Sequence, residues 1–321
     1  MGRKSLLVEG LDALNEIREF GGRHGAKQEA AERGVSLGDF HAVGQATPIT
    51  KKETFKDYLD ITALFANYCK GEGIKTFQQV HEGDLAANFL VSKVNEGCAW
   101  NTIDKYASGL EKLSAGLEAK FSEKFDWHKD ISEVKEGIKE YFKENGNFEL
   151  ASRAYAPDEL QSVKEGLQER GNVRDELIYD VLKESGCRGS EACNITSEQL
   201  GGIKTYMGEE VGCINVIGKG DKPNELHISL ESYSRLESYL ESKGDGEKLG
   251  NLDNFRDVFK DICNKVGVDY DGGVHGIRHS WCQNRMEELQ DKYGMTFQQA
   301  LKQCSFEMSH ERSEITKIYL R

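Results

Sequence analysis

The sequence predicts a mainly α-helical protein with a small β-sheet or hairpin, divided into a helical N-terminal part and a mixed C-terminal part. Three observations lead there. Apolar residues recur at helical spacing through most of the chain, and one short stretch past its middle instead alternates and is rich in β-branched residues. Only three prolines occur, Pro48, Pro157 and Pro223, each near a change of pattern.

Residues 6–34 read as one or two amphipathic helices interrupted at Gly21-Gly22, followed by a loop from Gly38 to Thr50. From Thr54, Phe55, Tyr58, Leu59, Ala63, Leu64, Phe65 and Tyr68 keep a helical stripe, and Gly71 stands where a C-terminal cap belongs. A second stripe carries Leu85, Phe89, Leu90 and Val94. A third opens at Thr102 as N-cap and runs through Ile103, Tyr106, Leu110, Leu113 and Leu117. A fourth, over 130–144, carries Val134, Ile138, Tyr141 and Phe142. The segment 148–156 lacks a period and is expected to be a linker, with Pro157 suited to the first turn of the next helix. The expected divisions are therefore 1–50, an N-terminal extension that is a candidate accessory segment; 51–147, a helical domain; the linker 148–156; and 157–321, a second domain.

In that second domain, helices are expected at 157–169 and 174–185. Val211 to Ile217 and Glu225 to Ser229 read as two strands joined by the turn residues Gly218 to Pro223. The remainder reads as helical, entered at Asp271-Gly-Gly273.

Composition narrows the class. The chain has 321 residues with 38% hydrophobic and 30% charged, enough for two proper cores. No apolar run approaches the ~20 residues of a membrane helix, and the first residues form no signal peptide, so a cytoplasmic, nucleoid-associated protein is expected. The eight cysteines are scattered, with no Cys-x-x-Cys pair, so neither a disulfide framework nor a metal site is expected. The net charge of −13, with neither half basic, argues against strong non-specific DNA binding. It leaves open a local cation cluster that holds a phosphate.

Such a cluster is present in sequence. Gly186-Cys-Arg188-Gly-Ser-Glu191, Lys219 in the hairpin turn, His275-Gly-Ile-Arg278-His279, and Met308-Ser-His310 with Tyr319 nine residues later supply cations, imidazoles and a lone phenol. Arg suits a phosphate because its planar fork meets two oxygens and stays protonated. Preorganised cations stabilise charge that develops on a phosphodiester under attack. A phenol with an ordinary pKa of about 10 needs such help to act as a nucleophile at neutral pH.

These four segments, in this order, resemble the catalytic domain of the tyrosine recombinases, the phage and mobile-element integrases. Residues 51–125 resemble the family's helical core-binding (SAM-like) domain. The resemblance implies an α+β catalytic domain that breaks and rejoins duplex DNA through a 3′-phosphotyrosyl link. Arg188 and Arg278 would clamp the phosphate, His275 would take the proton of the nucleophile Tyr319, Lys219 would protonate the leaving 5′-oxygen, and His310 would hydrogen-bond the phosphate. Glu191 and His279 would be supporting residues. Neither metal nor cofactor is implied. The implied partners are specific double-stranded DNA sites, further copies of the chain in a tetramer, and accessory bending or directionality proteins. A type IB topoisomerase-like activity and a catalytically silent DNA-binding regulator are the competing readings.

Taken singly, each residue has a plainer explanation. Arg188 suits a cap, Lys219 an exposed turn, and Tyr319 an apolar helix face with Ile315 and Ile318. His275 and His279 at i, i+4 also suit a zinc pair, but Gly276 stands where a general base would follow. Two departures stand out. The family commonly has Leu-Gly before its last His, where this chain has Met308-Ser309, and the stretch from Arg278 to His310 is longer than usual.

Overall fold

The computed structural model describes residues 5–21, 23–36, 40–145, 152–218, 222–310 and 313–320. The chain forms two compact units, Met1–Glu149 and Leu150–Arg321.

The first unit contains α1 (Leu6–Glu16), α2 (Arg23–Glu32), α3 (Phe40–Ala46), α4 (Lys52–Gly71), α5 (Asp84–Asn95), α6 (Trp100–Phe121) and α7 (His128–Glu144). Its core joins Leu6 and Ala13 of α1 to Phe65, Phe77, Phe89, Leu110 and Trp127. The Trp127 indole N–H donates to the Val80 carbonyl at 2.8 Å, which satisfies the one polar atom of that buried ring. Close packing of α1 on α6 depends on Gly116, where a Cβ would come within 2.5 Å of the Ala13 carbonyl oxygen. Two expectations are corrected here. The segment 38–50 contains α3, whose Val43 is buried but which is too short for a period to show. Helix α6 begins at Trp100 with Ala99 as N-cap, because the Thr102 N–H already bonds back to the Ala99 carbonyl.

The second unit contains α8 (Pro157–Arg170), α9 (Val173–Ser185), α10 (Gly189–Cys193), β1 (Leu200–Tyr206), β2 (Glu209–Gly218), β3 (Lys222–Ile228), α11 (Leu230–Glu241), α12 (Leu252–Val266), α13 (Gly273–Asp291), α14 (Phe297–Glu307), the short α15 (Ser313–Thr316) and a 3₁₀ turn, Lys317–Leu320. The strands form an antiparallel sheet in the order β1-β2-β3. Strand β1 is absent from the sequence reading because Gly201-Gly202 interrupts its alternation and a register shift follows Leu200. Ile214, Val216, Leu226 and Ile228 turn into the main core with α8, α9, α11 and α12. A second, smaller core ties α13 to α14 through Cys282, Met286, Leu289, Ala300, Leu301 and Cys304. The long stretch between Arg278 and His310 is therefore packed structure built on α13.

Helix α13 is also held from its N-terminal side. The Tyr155 N–H donates to Ser280 Oγ at 2.7 Å, and that hydroxyl donates back to the Tyr155 carbonyl at 2.9 Å. The Tyr155 phenol donates to the Gly273 carbonyl at 3.0 Å. Gly276 makes this approach possible, since a Cβ there would lie 2.5 Å from the Arg153 carbonyl oxygen. Tyr155 thus belongs to the core of the second unit.

Candidate active site

Helical geometry places His275, Arg278 and His279 on one face of α13, at i, i+3 and i+4. Arg278 is almost completely buried, at 2% exposure, so its charge demands partners. Nη1 donates to the Gly186 carbonyl, and Nη2 donates to the Met308 carbonyl at 2.9 Å and to His310 Nε2 at 3.1 Å. A guanidinium has five N–H groups. The Nε–H is buried and has no hydrogen-bond partner among the described residues. An unpaired buried donor costs about 1–3 kcal/mol, more when charged. An anion beside it would remove that cost.

The first arginine is set by the turn between α9 and α10. Gly186 ends α9 with φ +61°, and a Cβ there would come within 2.2 Å of the Trp281 ring. Trp281 in turn donates its indole N–H to the Glu184 carbonyl at 2.8 Å, locking the end of α9 onto α13. Arg188 caps α10. Its backbone N–H and its Nη1 both donate to the buried Glu191 carboxylate at 2.8 Å. Glu191 therefore aims Arg188. The Glu191 carboxylate also lies 3.3 Å from where a Cβ on Gly218 would stand, so the end of β2 reaches this cluster. Lys219, the next residue, lies outside the described residues. An open cleft of about 360 Å³ is lined by Arg188, Ser190, Arg256, Tyr270, Gly273 and His275.

The remaining parts follow α14. Ser309 turns the chain with φ +55°, in the left-handed region that favours glycine. His310 is then oriented from behind. Ser305 donates its hydroxyl to the Leu301 carbonyl at 2.6 Å, so the Thr316 hydroxyl must donate to Ser305 Oγ at 2.7 Å. Thr316 Oγ1 is left to accept from His310 Nδ1–H at 2.8 Å. The lone pair of His310 consequently sits on Nε2, facing Arg278.

Tyr319, 9% exposed, lies in the 3₁₀ turn among these groups. Its ring centroid is 5.5 Å from that of His275, 4.5 Å from His279 and 5.4 Å from His310, with the Arg278 guanidinium 5.5 Å away. Gln283 on α13 donates to the Tyr319 carbonyl at 3.1 Å and anchors the turn. Tyr319 is both a packing aromatic of the smaller core and a member of the charged cluster.

All three imidazoles are neutral at pH 7. Burial, then the charges of Arg278 and Arg188 and the neighbouring His275, push His310 down to about 3. Burial, then His279, Arg278, Arg153 and Arg188, push His275 down to about 4; its open edge to solvent trims that shift. Burial, then Arg153 and Arg278, push His279 down to about 4. The same positive field disfavours a metal cation between His275 and His279.

No protein-family model matches the chain. It is, however, 25% identical over 246 residues to the tyrosine recombinase XerA of Pyrococcus horikoshii, covering 67% of this chain and 84% of that protein. Among solved structures, the XerH site-specific recombinase bound to palindromic difH substrate, in a post-cleavage complex, matches with a TM-score of 0.63 at 16% identity. That match covers 99% of this chain and 93% of the other. A lambda integrase tetramer bound to a Holliday junction matches with a TM-score of 0.57 at 12% identity, covering 97% and 80%. The chain is similar to the tyrosine recombinases in sequence over two thirds of its length and in fold over nearly all of it. Its fold is the recombinase fold, mainly helical with a small antiparallel sheet.

Set against the Leu-Gly of the tyrosine recombinases it resembles, Met308-Ser309 is conservative in shape. Met308 is buried against Cys304, and Ser309 keeps the backbone turn that a glycine would make. Sequence motifs pointed to Arg188, Glu191, His275, Arg278, His279, His310 and Tyr319, and the fold brings all seven together. They did not point to Thr316 and Ser305, which orient His310, or to Arg153, whose charge bears on His275 and His279. A hydroxyl six residues beyond the His is the one sequence signal for Thr316, and nothing marks it as special.

Proposed function

We infer that this chain is a site-specific DNA recombinase that cleaves and rejoins duplex DNA, integrating or excising a mobile element. The observation that carries the reading is Tyr319 packed among His275, His279, His310 and a buried Arg278 whose Nε–H lacks a partner among the described residues. A non-bridging oxygen of the scissile phosphate would satisfy that donor, while Arg188, held by Glu191, faces the phosphate from the cleft it shares with His275.

The Tyr319 oxygen attacks phosphorus and its proton passes to His275, which is neutral and so able to accept it. The bond to the 5′-oxygen breaks, and Lys219 is assigned to protonate that oxygen. A 3′-phosphotyrosyl link results, which the 5′-hydroxyl of a partner strand reverses. Stored bond energy makes the step independent of ATP. With Tyr319 seated in its own chain's cluster, cleavage is proposed to occur in cis. Four copies on paired sites fit the strand count of recombination, and the lambda integrase assembly named above is a tetramer on a Holliday junction. The reported relatives are recombinases by name, which favours this reading over a topoisomerase-like enzyme or a silent regulator. Among the described residues, no helix is long and apolar enough to cross a membrane.

Covalent capture tests the assignment. The protein is mixed with nicked duplexes that include the DNA flanking its gene, and detergent-resistant adducts are sequenced. Wild type should form an adduct at one site, and Tyr319→Phe should bind the same DNA without forming it. Adduct formation by Tyr319→Phe would remove Tyr319 as nucleophile.

A further inference from the structure

The face of the sheet opposite Ile214 and Leu226 carries a second cluster, in which Cys213 is fully buried and Glu225 and His227 are partly exposed. Cys213 on β2 stands directly across from His227 on β3, and Glu225, two residues earlier, shares that face. One ligand atom from each of the three lies within 4.8 Å of the others. We propose that Cys213, Glu225 and His227 form a Zn²⁺ site, with the fourth position taken by water.

The donor set selects the ion. A thiolate, an imidazole and a carboxylate suit borderline-soft Zn²⁺, whereas Mg²⁺ and Ca²⁺ take oxygen ligands. The ligands are also held in place before any ion arrives. His227 Nε2 and Glu225 Oε1 are 3.1 Å apart, so a cation would replace the proton between them. Glu225 Oε2 is bonded to Lys204, so Oε1 can exchange the His227 proton for a cation while the ion pair persists. The Tyr206 ring lies over His227 with centroids 3.8 Å apart, and the Tyr206 hydroxyl donates to Glu307 at 2.9 Å. Outer contacts of this kind fix ligand orientation in metal sites.

Access and electrostatics agree. Glu225, His227 and Tyr206 line an open cavity of about 380 Å³. Its described lining includes six glutamates, Glu225 among them, against the single arginine Arg285, a field that draws in cations. Sequence spacing hides the site, because its ligands become neighbours only through strand pairing. Zinc here would staple β2 to β3 several residues from the Gly218–Lys222 pair that ends the ladder, and would contact none of the proposed phosphate-holding residues. Cleavage therefore proceeds without it, but the hairpin stiffens with it.

The test uses the full-length protein stripped by chelator. Titration with Co²⁺ should show one equivalent bound with a thiolate-to-metal charge-transfer band, and Zn²⁺ should compete for the same site. Cys213→Ser should abolish the band, and His227→Gln should weaken Zn²⁺ at least ~10-fold. Cys98→Ser, at a thiol in the other unit, should change neither. Zinc should raise the unfolding midpoint of wild type and not of His227→Gln. Should Cys213→Ser fail to fold by circular dichroism, Glu225→Gln and His227→Gln decide. No stoichiometric binding, binding without the charge-transfer band, or binding undiminished in the variants overturns the proposal and leaves Cys213 as a small buried hydrophobe.

Discussion

Arg278 and His310 meet through one hydrogen bond of 3.1 Å, and its direction is fixed from the far side of the imidazole. Because Thr316 accepts the Nδ1 proton, Nε2 offers a lone pair to the arginine. His310 can donate to a phosphate only after gaining a proton, and an anion beside it would favour that gain. Thr316→Val removes the acceptor and frees the ring to turn. Covalent adduct formation should slow ~10-fold or more while DNA affinity stays within ~2-fold, since one orienting bond is lost and no phosphate contact is. An unchanged single-turnover rate would show that the orientation is irrelevant.

Ser309 holds a left-handed backbone at φ +55°. A non-glycine residue there costs ~1 kcal/mol, partly offset by the greater unfolded-state freedom of glycine. Ser309→Gly should therefore stabilise the protein by up to ~1 kcal/mol in urea unfolding.

Gly186 combines positive φ with contact against Trp281. Gly186→Ala meets both the backbone strain and an overpacked ring, together ~2–4 kcal/mol. It also displaces the carbonyl that binds Arg278. The unfolding midpoint should fall, and near-ultraviolet circular dichroism should report the Trp281 shift.

His275, near 4 in the free protein, stays neutral from pH 8 to about 5. The rate at subsaturating DNA reports the free enzyme, so it should show no loss from His275 protonation around the ordinary histidine value of 6.5. The sign for stability is the reverse of a salt-bridged histidine. His275, His279 and His310 all bind protons less readily when folded than unfolded. Between pH 6.5 and about 4 the unfolded chain therefore takes up more protons, and stability falls as pH falls through that window. Urea midpoints at pH 7 and pH 5 measure the drop, which His279→Gln should lessen.

Much of the site was legible because its motifs are local. His275, Arg278 and His279 are one helical face, and Gly186 to Glu191 is one capped turn, so order and spacing in sequence survive into space. The rest depends on chain-distant contacts. Ser305 and Thr316 reach His310 only because α14 and α15 fold against each other, and Arg153 bears on His275 only because the chain at 153–155 lies across α13. The fold shows the same division. Long stripes such as Ile103 to Leu117 were plain, whereas β1 hid behind Gly201-Gly202 and α3 is shorter than two full turns.

The clasp between Tyr155 and Ser280 has a mechanical side. Two backbone bonds and a phenol tie the start of the second unit directly to the helix that bears His275 and Arg278. Tension on the chain at residue 153 reaches that helix through these bonds. The tether is thus a force-bearing strap on the helix that carries Arg278.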